Sequence, residues 1–308
     1  MQFNNLLVDW RWCFRPIAVV PDGLLISYFD PPNQVKNVVT LPPSDLVIVP
    51  TKTPRLAIAQ IPMYWEMSDN VSAMKSALQI ARDEGASLCA FAELAVTGFH
   101  RRIVDWAKPE VSEPAVNEVC MTAASLGIAT AFGAPTYGVD GTRFNTHLFV
   151  GADGALIGKV SKIGLTAPEA TFFTPGTDRP TFHINGVKFS AVICREIEDG
   201  DQVLPQLAGT GVDVILWPGQ MRPDPEKPPQ DPPAHVVQAQ DLARRSSTYI
   251  VQTNWPNALN RPEESKDAGH SACIAPSGEI LFRLPSEGYG IAVFNLGEPG
   301  YDWHASGT

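Results

Sequence analysis

The chain is short of the features that mark secreted, membrane-spanning and nucleic-acid-binding proteins. Its 308 residues contain only five cysteines, Cys13, Cys89, Cys120, Cys194 and Cys273. Their number is odd, their spacing wide, and no C-x-x-C pair occurs. That excludes a disulfide framework and predicts reduced thiols in a cytoplasmic protein. The six histidines are equally scattered and H-E-x-x-H is missing, so a metal site is not expected. No run approaches about 18 uninterrupted apolar residues, the length a membrane-spanning helix needs. At the N-terminus, "DWRWCFRP" puts charges and tryptophans where a signal peptide needs an apolar stretch. Positive charge is in deficit, with 23 Lys and Arg against 33 Asp and Glu and a net charge of −10. Without a basic patch, phosphate backbones and anionic membrane surfaces are not expected partners.

What is present is enough apolar sequence for a large core, 44% of all residues. From residue 55 the signals alternate between strand and helix. "RLAIAQI" (55–61) reads as a buried strand. The helix at 68–86 sets Val71, Met74, Leu78 and Ala81 on one face behind a Ser/Asp cap. "SLCAFAEL" (87–94) reads as a second strand, followed by a helix at 112–127 with Ser112 as cap and Gly127 as stop. Further strands are expected at 128–137, 143–150, 155–165, 181–194, 212–219 and 248–255, the fourth of these folded at Asn185-Gly186. Helices fall near 201–209 and 235–247, and a hairpin at 271–284 and a strand at 289–296 finish the pattern. Such alternation predicts an α/β domain with helices packed outside sheets.

Two stretches stand apart. Residues 1–52 read as an N-terminal extension of extra strands or an arm, or as an oligomer contact, ahead of a main domain at 53–308. "MRPDPEKPPQDPP" (221–233) holds six prolines in thirteen residues and reads as a stiff loop, either a pocket wall or an inert surface excursion.

Three residues sit in unexpected company. Glu93 interrupts "LCAFAELAV"; a carboxylate there is either a buried structural ion pair or functional, because an unpaired buried charge would protonate. Lys162 lies in "ALIGKVSKIGL", where alternation sends it and Lys159 to opposite faces, so one of them points inward or both are solvated. Cys194 ends "FSAVIC", just where the sequence turns charged. It is either a packed apolar thiol or a nucleophile at the carboxyl end of a strand, where α/β folds place reactive groups. Cys89, Cys120 and Cys273 read as packing.

Taken together these segments resemble the nitrilase (carbon–nitrogen hydrolase) superfamily over residues 54 to 297. "FAELAVTGF" resembles its glutamate motif, "GKVSKIGL" its lysine motif and "VKFSAVICREIE" its cysteine motif, in order and at suitable spacing. The linking segments match too, including Asn145, Pro175 and Gly176, as does the late hairpin "GHSACIAPSGEIL". The resemblance implies a four-layer α-β-β-α sandwich and a homodimer or larger homo-oligomer. It implies Cys194 as nucleophile, Glu93 as general base and then acid, and Lys162 as the cation that steadies the intermediate, with no metal or organic cofactor. Glu169, in "TAPEATFF", matches the family's second glutamate. The backbone N–H of Arg195 would share the oxyanion, and its guanidinium either meets a substrate carboxylate or pairs with Glu196 or Glu198.

The expected reaction is hydrolysis of a small amide through a Cys thioester. The "CREIED" that follows the thiol departs from both the nitrilase and the common amidase pattern, which leaves N-carbamoyl amine or nitrile hydrolysis as alternatives. Two other classes compete: a Cys–His hydrolase pairing Cys194 with His270, and a catalytically silent interaction module.

Overall fold

The computed structural model describes residues 14–20, 23–30, 34–41 and 53–306, save 224–229 and 287. The chain divides into two compact units, Met1–Lys52 and Thr53–Thr308. The first holds three strands, β1 (Phe14–Val20), β2 (Gly23–Asp30) and β3 (Gln34–Leu41), paired antiparallel in that order.

The second unit runs β4 (Arg55–Gln60), α1 (Met67–Asp83), β5 (Leu88–Ala90), α2 (Ile103–Trp106), α3 (Pro109–Leu126), β6 (Ala129–Tyr137), β7 (Arg143–Val150) and β8 (Leu156–Ser161). It continues through β9 (Phe182–Ile184), β10 (Val187–Ala191), α4 (Gly200–Leu207), β11 (Val214–Gly219), α5 (Ala234–Ser246), β12 (Tyr249–Asn254), β13 (Ala272–Ile274), β14 (Ile280–Arg283), β15 (Gly290–Asn295) and β16 (Asp302–Ala305). Two mixed sheets result. One has the order β16-β15-β4-β5-β6-β7-β8, the other β14-β13-β12-β11-β10-β9.

Strand alternation explains the layering. In β4, Leu56 and Ile58 face one way and pack with Phe189, Leu216 and Val251 of the other sheet. Ala57 and Ala59 face the other way and pack with Met74 and Leu78 of α1 and Val119 of α3. Period-two side chains thus feed two separate cores from one strand. On the far side of the second sheet, α5 adds Val236, Ala239 and Leu242. The unit is therefore a four-layer α-β-β-α sandwich. Among the described residues no helix is long and apolar enough to cross a membrane.

Three local outcomes differ from expectation. Helix α3 begins at Pro109 rather than at Ser112, because Pro109 is preset for the first turn behind an extended Lys108. The Ser112 hydroxyl instead donates to the Lys108 carbonyl at 3.2 Å. Helix α1 starts behind Glu66 without a side-chain cap. Strand β5 stops at Ala90, and the chain then lifts into a loop in which Leu94 takes φ +50°. Gly133 of β6 permits that loop, since a Cβ there would lie 2.0 Å from the Leu94 nitrogen. The proline-rich stretch expected at 221–233 lies partly outside the described residues.

The core also carries a built-in acid weakness. His147, on β7, is buried with neither ring nitrogen hydrogen-bonded, and burial pulls its pKa down to about 3. His235, on α5, is pulled down to about 4 by burial and then by the nearby positive groups Arg283 and His270. An unfolded histidine takes a proton near pH 6.5, whereas these folded ones do not, so stability falls as pH drops below about 6.5. Each contributes a slope of up to ~1.4 kcal/mol per pH unit. The urea midpoint is expected to fall from pH 7 to pH 5, and His147→Leu to flatten the slope; an unchanged slope in that variant would sink the assignment.

Candidate active site

The carboxyl ends of the strands converge on one end of the sandwich. Glu93 follows β5 and Cys194 follows β10, both members of parallel pairs. Lys162 follows β8 directly, and Asn145 lies at the facing start of β7, opposite Pro135 near the end of β6. Lys159 is exposed and Lys162 fully buried, so alternation sends the second lysine inward.

Lys162 joins two carboxylates. Its Nζ donates to Glu93 Oε1 at 2.7 Å, to Glu169 Oε1 at 2.7 Å and to Glu169 Oε2 at 2.9 Å. Asn145 Nδ2 bridges the same two acids at 2.8 and 3.0 Å. The Thr166 backbone N–H adds a donor to Glu169 Oε2 at 2.9 Å. Both oxygens of Glu169 are thus occupied, whereas Glu93 Oε2 is buried with no partner. Burial raises the Glu93 pKa, with Lys162 pulling it down and Glu169 pushing it up. Burial also works against the Lys162 ammonium, but the carboxylates Glu93 and Glu169 hold its pKa above the ordinary lysine value.

Cys194 opens a short 3-10 turn, Cys194–Asp199, with φ +54°, an uncommon conformation for a side-chain-bearing residue. Backbone strain of this kind persists only where the surroundings enforce it. Here Trp217 Nε1 donates to the Cys194 carbonyl at 3.0 Å, and Gly219 packs so close that a Cβ would sit 3.1 Å from Cys194 Cα. Sγ lies 3.7 Å from Met221 Sδ. Burial pushes the thiol up to about 12, and Glu93 adds to this; Lys162 and the Gln220 backbone N–H pull the other way. The resting group is therefore a thiol that needs a base.

Two linkages that the sequence did not reveal hold these segments in place. Buried Glu196 accepts from the Ile163 and Gly164 backbone N–H groups at 2.7 and 3.0 Å, and from Ile193 N–H at 2.6 Å, so it ties the lysine segment to the cysteine turn. Burial opposes its charge, but Arg179, 3.1 Å away, and the backbone donors keep its pKa below the ordinary carboxylate value. At the end of β12, Asn254 clamps Met221 through both its backbone N–H and carbonyl, at 2.7 and 2.6 Å. The neighbouring Trp255 indole donates to the Glu93 carbonyl at 2.7 Å. One dipeptide thus fixes both the segment beside the thiol and the segment carrying the acid.

Arg195 pairs with Asp199 at 2.9 Å rather than with Glu196 or Glu198, and it lines the mouth of the site. The cavity in front of Cys194 measures about 650 Å³, with Glu169, Phe99, Gln220 and Met221 among its walls. His270 is not among those wall residues; its Nδ1 lies 3.0 Å from the Leu284 carbonyl oxygen. A wider hollow of about 750 Å³ beside α4 includes Ser246 in its lining, but that hydroxyl is hydrogen-bonded to the Leu242 carbonyl and the Thr248 hydroxyl, and the acid there, Asp201, is paired with Arg245.

A four-layer sandwich with a thiol, an ammonium and two carboxylates at its strand ends defines a recognisable class. Residues 55–297 match the carbon–nitrogen hydrolase family model, and the chain belongs to that family. Among its relatives is the human omega-amidase NIT2, 24% identical over 243 residues, which span 76% of this chain and 85% of that one. An amidase from Nesterenkonia sp. superposes with a TM-score of 0.68 at 22% identity, covering 80% of this chain and 91% of that one. A glutamate-to-leucine variant of the same Nesterenkonia amidase carries the acetamide moiety of fluoroacetamide on its active-site cysteine. It superposes with a TM-score of 0.70 at 22% identity, covering 81% and 93% of the two chains.

Proposed function

We propose that this protein hydrolyses a small amide through a thioester on Cys194. The observation that carries this reading is the one unpartnered carboxylate oxygen, Glu93 Oε2, in a buried cluster beside a thiol that cannot ionise unaided. Glu93 takes the thiol proton as sulfur attacks the amide carbon. The carbonyl oxygen becomes an oxyanion, received by Lys162 Nζ and the Arg195 backbone N–H, where each such donor typically supplies ~3–4 kcal/mol. Glu93 passes its proton to the nitrogen, the C–N bond breaks, and ammonia or an amine departs. Water, giving a proton to Glu93, then attacks the thioester; the acid leaves and the sulfur recovers its proton.

Glu169 serves this scheme by holding Lys162 in place with both its oxygens, and Asn145 by donating to both acids and fixing their positions. The Glu93 pKa, raised by burial, makes it a stronger base for the thiol proton than an ordinary carboxylate.

Ammonia release from a panel of amides, N-carbamoyl amino acids and nitriles, compared with Cys194→Ala, tests the reading. Release from amides that vanishes in the variant supports it. Preference for carbamoyl compounds or nitriles would move the protein to another branch, and release that survives in Cys194→Ala would remove the thiol from the chemistry.

A further inference from the structure

Beside the catalytic cavity lies a second, smaller one of about 230 Å³. The linings meet: Phe99, Pro168, Glu169 and Asn260 belong to both. Part of the smaller wall comes from the segments that carry the two acids. Leu94 directly follows Glu93, and Phe172 and Phe173 follow Glu169, with their rings edge to face at 4.9 Å. Ile103 of α2 belongs to the same lining.

Most polar atoms of this wall are already engaged. His100 Nε2 meets the Tyr64 carbonyl at 3.1 Å and its Nδ1 accepts from the Arg102 N–H at 3.3 Å. The Arg101 guanidinium sits over the Trp65 ring, 4.9 Å from its centroid. Asn260 Oδ1 accepts from the Arg101 N–H at 3.0 Å, and both oxygens of Glu169 are held as described. What remains to meet a ligand, apart from the Arg101 guanidinium and the Asn260 amide NH2, is apolar surface, in a space somewhat larger than the ~150 Å³ cavity that holds a benzene ring.

We infer that this annex binds an apolar substituent of the substrate, so that the preferred amide bears a six-membered ring or a chain of about four to six carbons. The inference rests on the amide-hydrolase reading and specifies its substrate class. Each methylene withdrawn from water contributes up to about fourfold in kcat/KM when the binding is realised in the transition state.

The test is kcat/KM for acetamide, butyramide, hexanamide and phenylacetamide, with N-methylacetamide and N-hexylacetamide as a second arm. The wild type and two annex variants, Ile103→Trp and Phe172→Ala, are compared. The wild type is expected to gain at least tenfold from acetamide to hexanamide. A gain in the N-alkyl arm instead would also support the annex and put the apolar group on the amine side. Ile103→Trp should erase the gain while leaving acetamide within twofold, and Phe172→Ala should shift the optimum to a longer chain. Acetamide hydrolysis with no length preference in either arm overturns the annex and leaves the amidase reading standing. So does a preference that both variants leave unchanged. No Cys194-dependent hydrolysis of any of these amides overturns both.

Discussion

Glu93→Gln is expected to lower kcat by ~10³-fold, within the 10²–10⁴-fold that general acid–base catalysis typically contributes, while leaving the fold as stable as before. Glutamine keeps the shape and can still accept from Lys162, but it puts either an amide nitrogen or a non-basic oxygen where Oε2 now lies free. With burial pushing the thiol up to about 12, it stays protonated at neutral pH unless a base takes its proton. The variant therefore loses the proton acceptor in the attack and the donor for the leaving amine. Stability should hold, because the substitution removes one of two carboxylates that compete for a single ammonium. Iodoacetamide labelling of Cys194 gives an independent readout. In the wild type its rate rises with pH as Glu93 loses its proton, at a pH above the ordinary glutamate range because burial raises that pKa. In Glu93→Gln the rise moves up towards the thiol's own titration. A variant that keeps a tenth or more of wild-type turnover would remove Glu93 as the base.

The sequence singled out the buried acid, lysine and thiol one residue at a time, but not the geometry that joins them. Glu93, Lys162 and Cys194 stand out because charge or reactivity intrudes on apolar strand runs, and such intrusions are rare unless something partners them. Turns were legible for a related local reason: Gly127 takes φ +64° behind α3, and Asn185-Gly186 folds the β9–β10 hairpin at φ +50° and +83°. The clamps were not legible, because their partners lie far apart in the chain. Arg179 meets Glu196 across 17 positions and Trp255 meets Glu93 across 162, and no local pattern announces either. Asn145 was visible only as a family match, since one amide inside a strand carries no sign of bridging two acids. The early end of β5 has the same origin: apolar sequence continues past Ala90, but contact with Gly133 on β6 decides where the chain lifts away. Strand β16, only four residues long and mixed in polarity, offers no alternation strong enough to detect.

Lys162→Met is expected to abolish turnover and, unlike Glu93→Gln, to destabilise the protein by ~3–5 kcal/mol at pH 8, the usual cost of removing one partner from a buried ion pair. Methionine fits the space but leaves Glu93 and Glu169 facing each other with Asn145 as their shared side-chain donor. Two buried like charges at that range cannot both persist, so the pair takes up a proton and its folded-state pKa rises above the unfolded value. A carboxylate with a raised folded pKa favours the native state at low pH and loses that advantage as pH climbs through the folded value. The stability gap between variant and wild type should therefore narrow near pH 5 and widen towards pH 8. Urea denaturation at the two pH values measures it directly. A gap that stays the same, or widens on acidification, would mean that Lys162 does not neutralise this acid pair. On the proposed mechanism the contrast between the two variants separates two roles within one cluster, Lys162 holding the charges together and Glu93 keeping one oxygen free to move a proton.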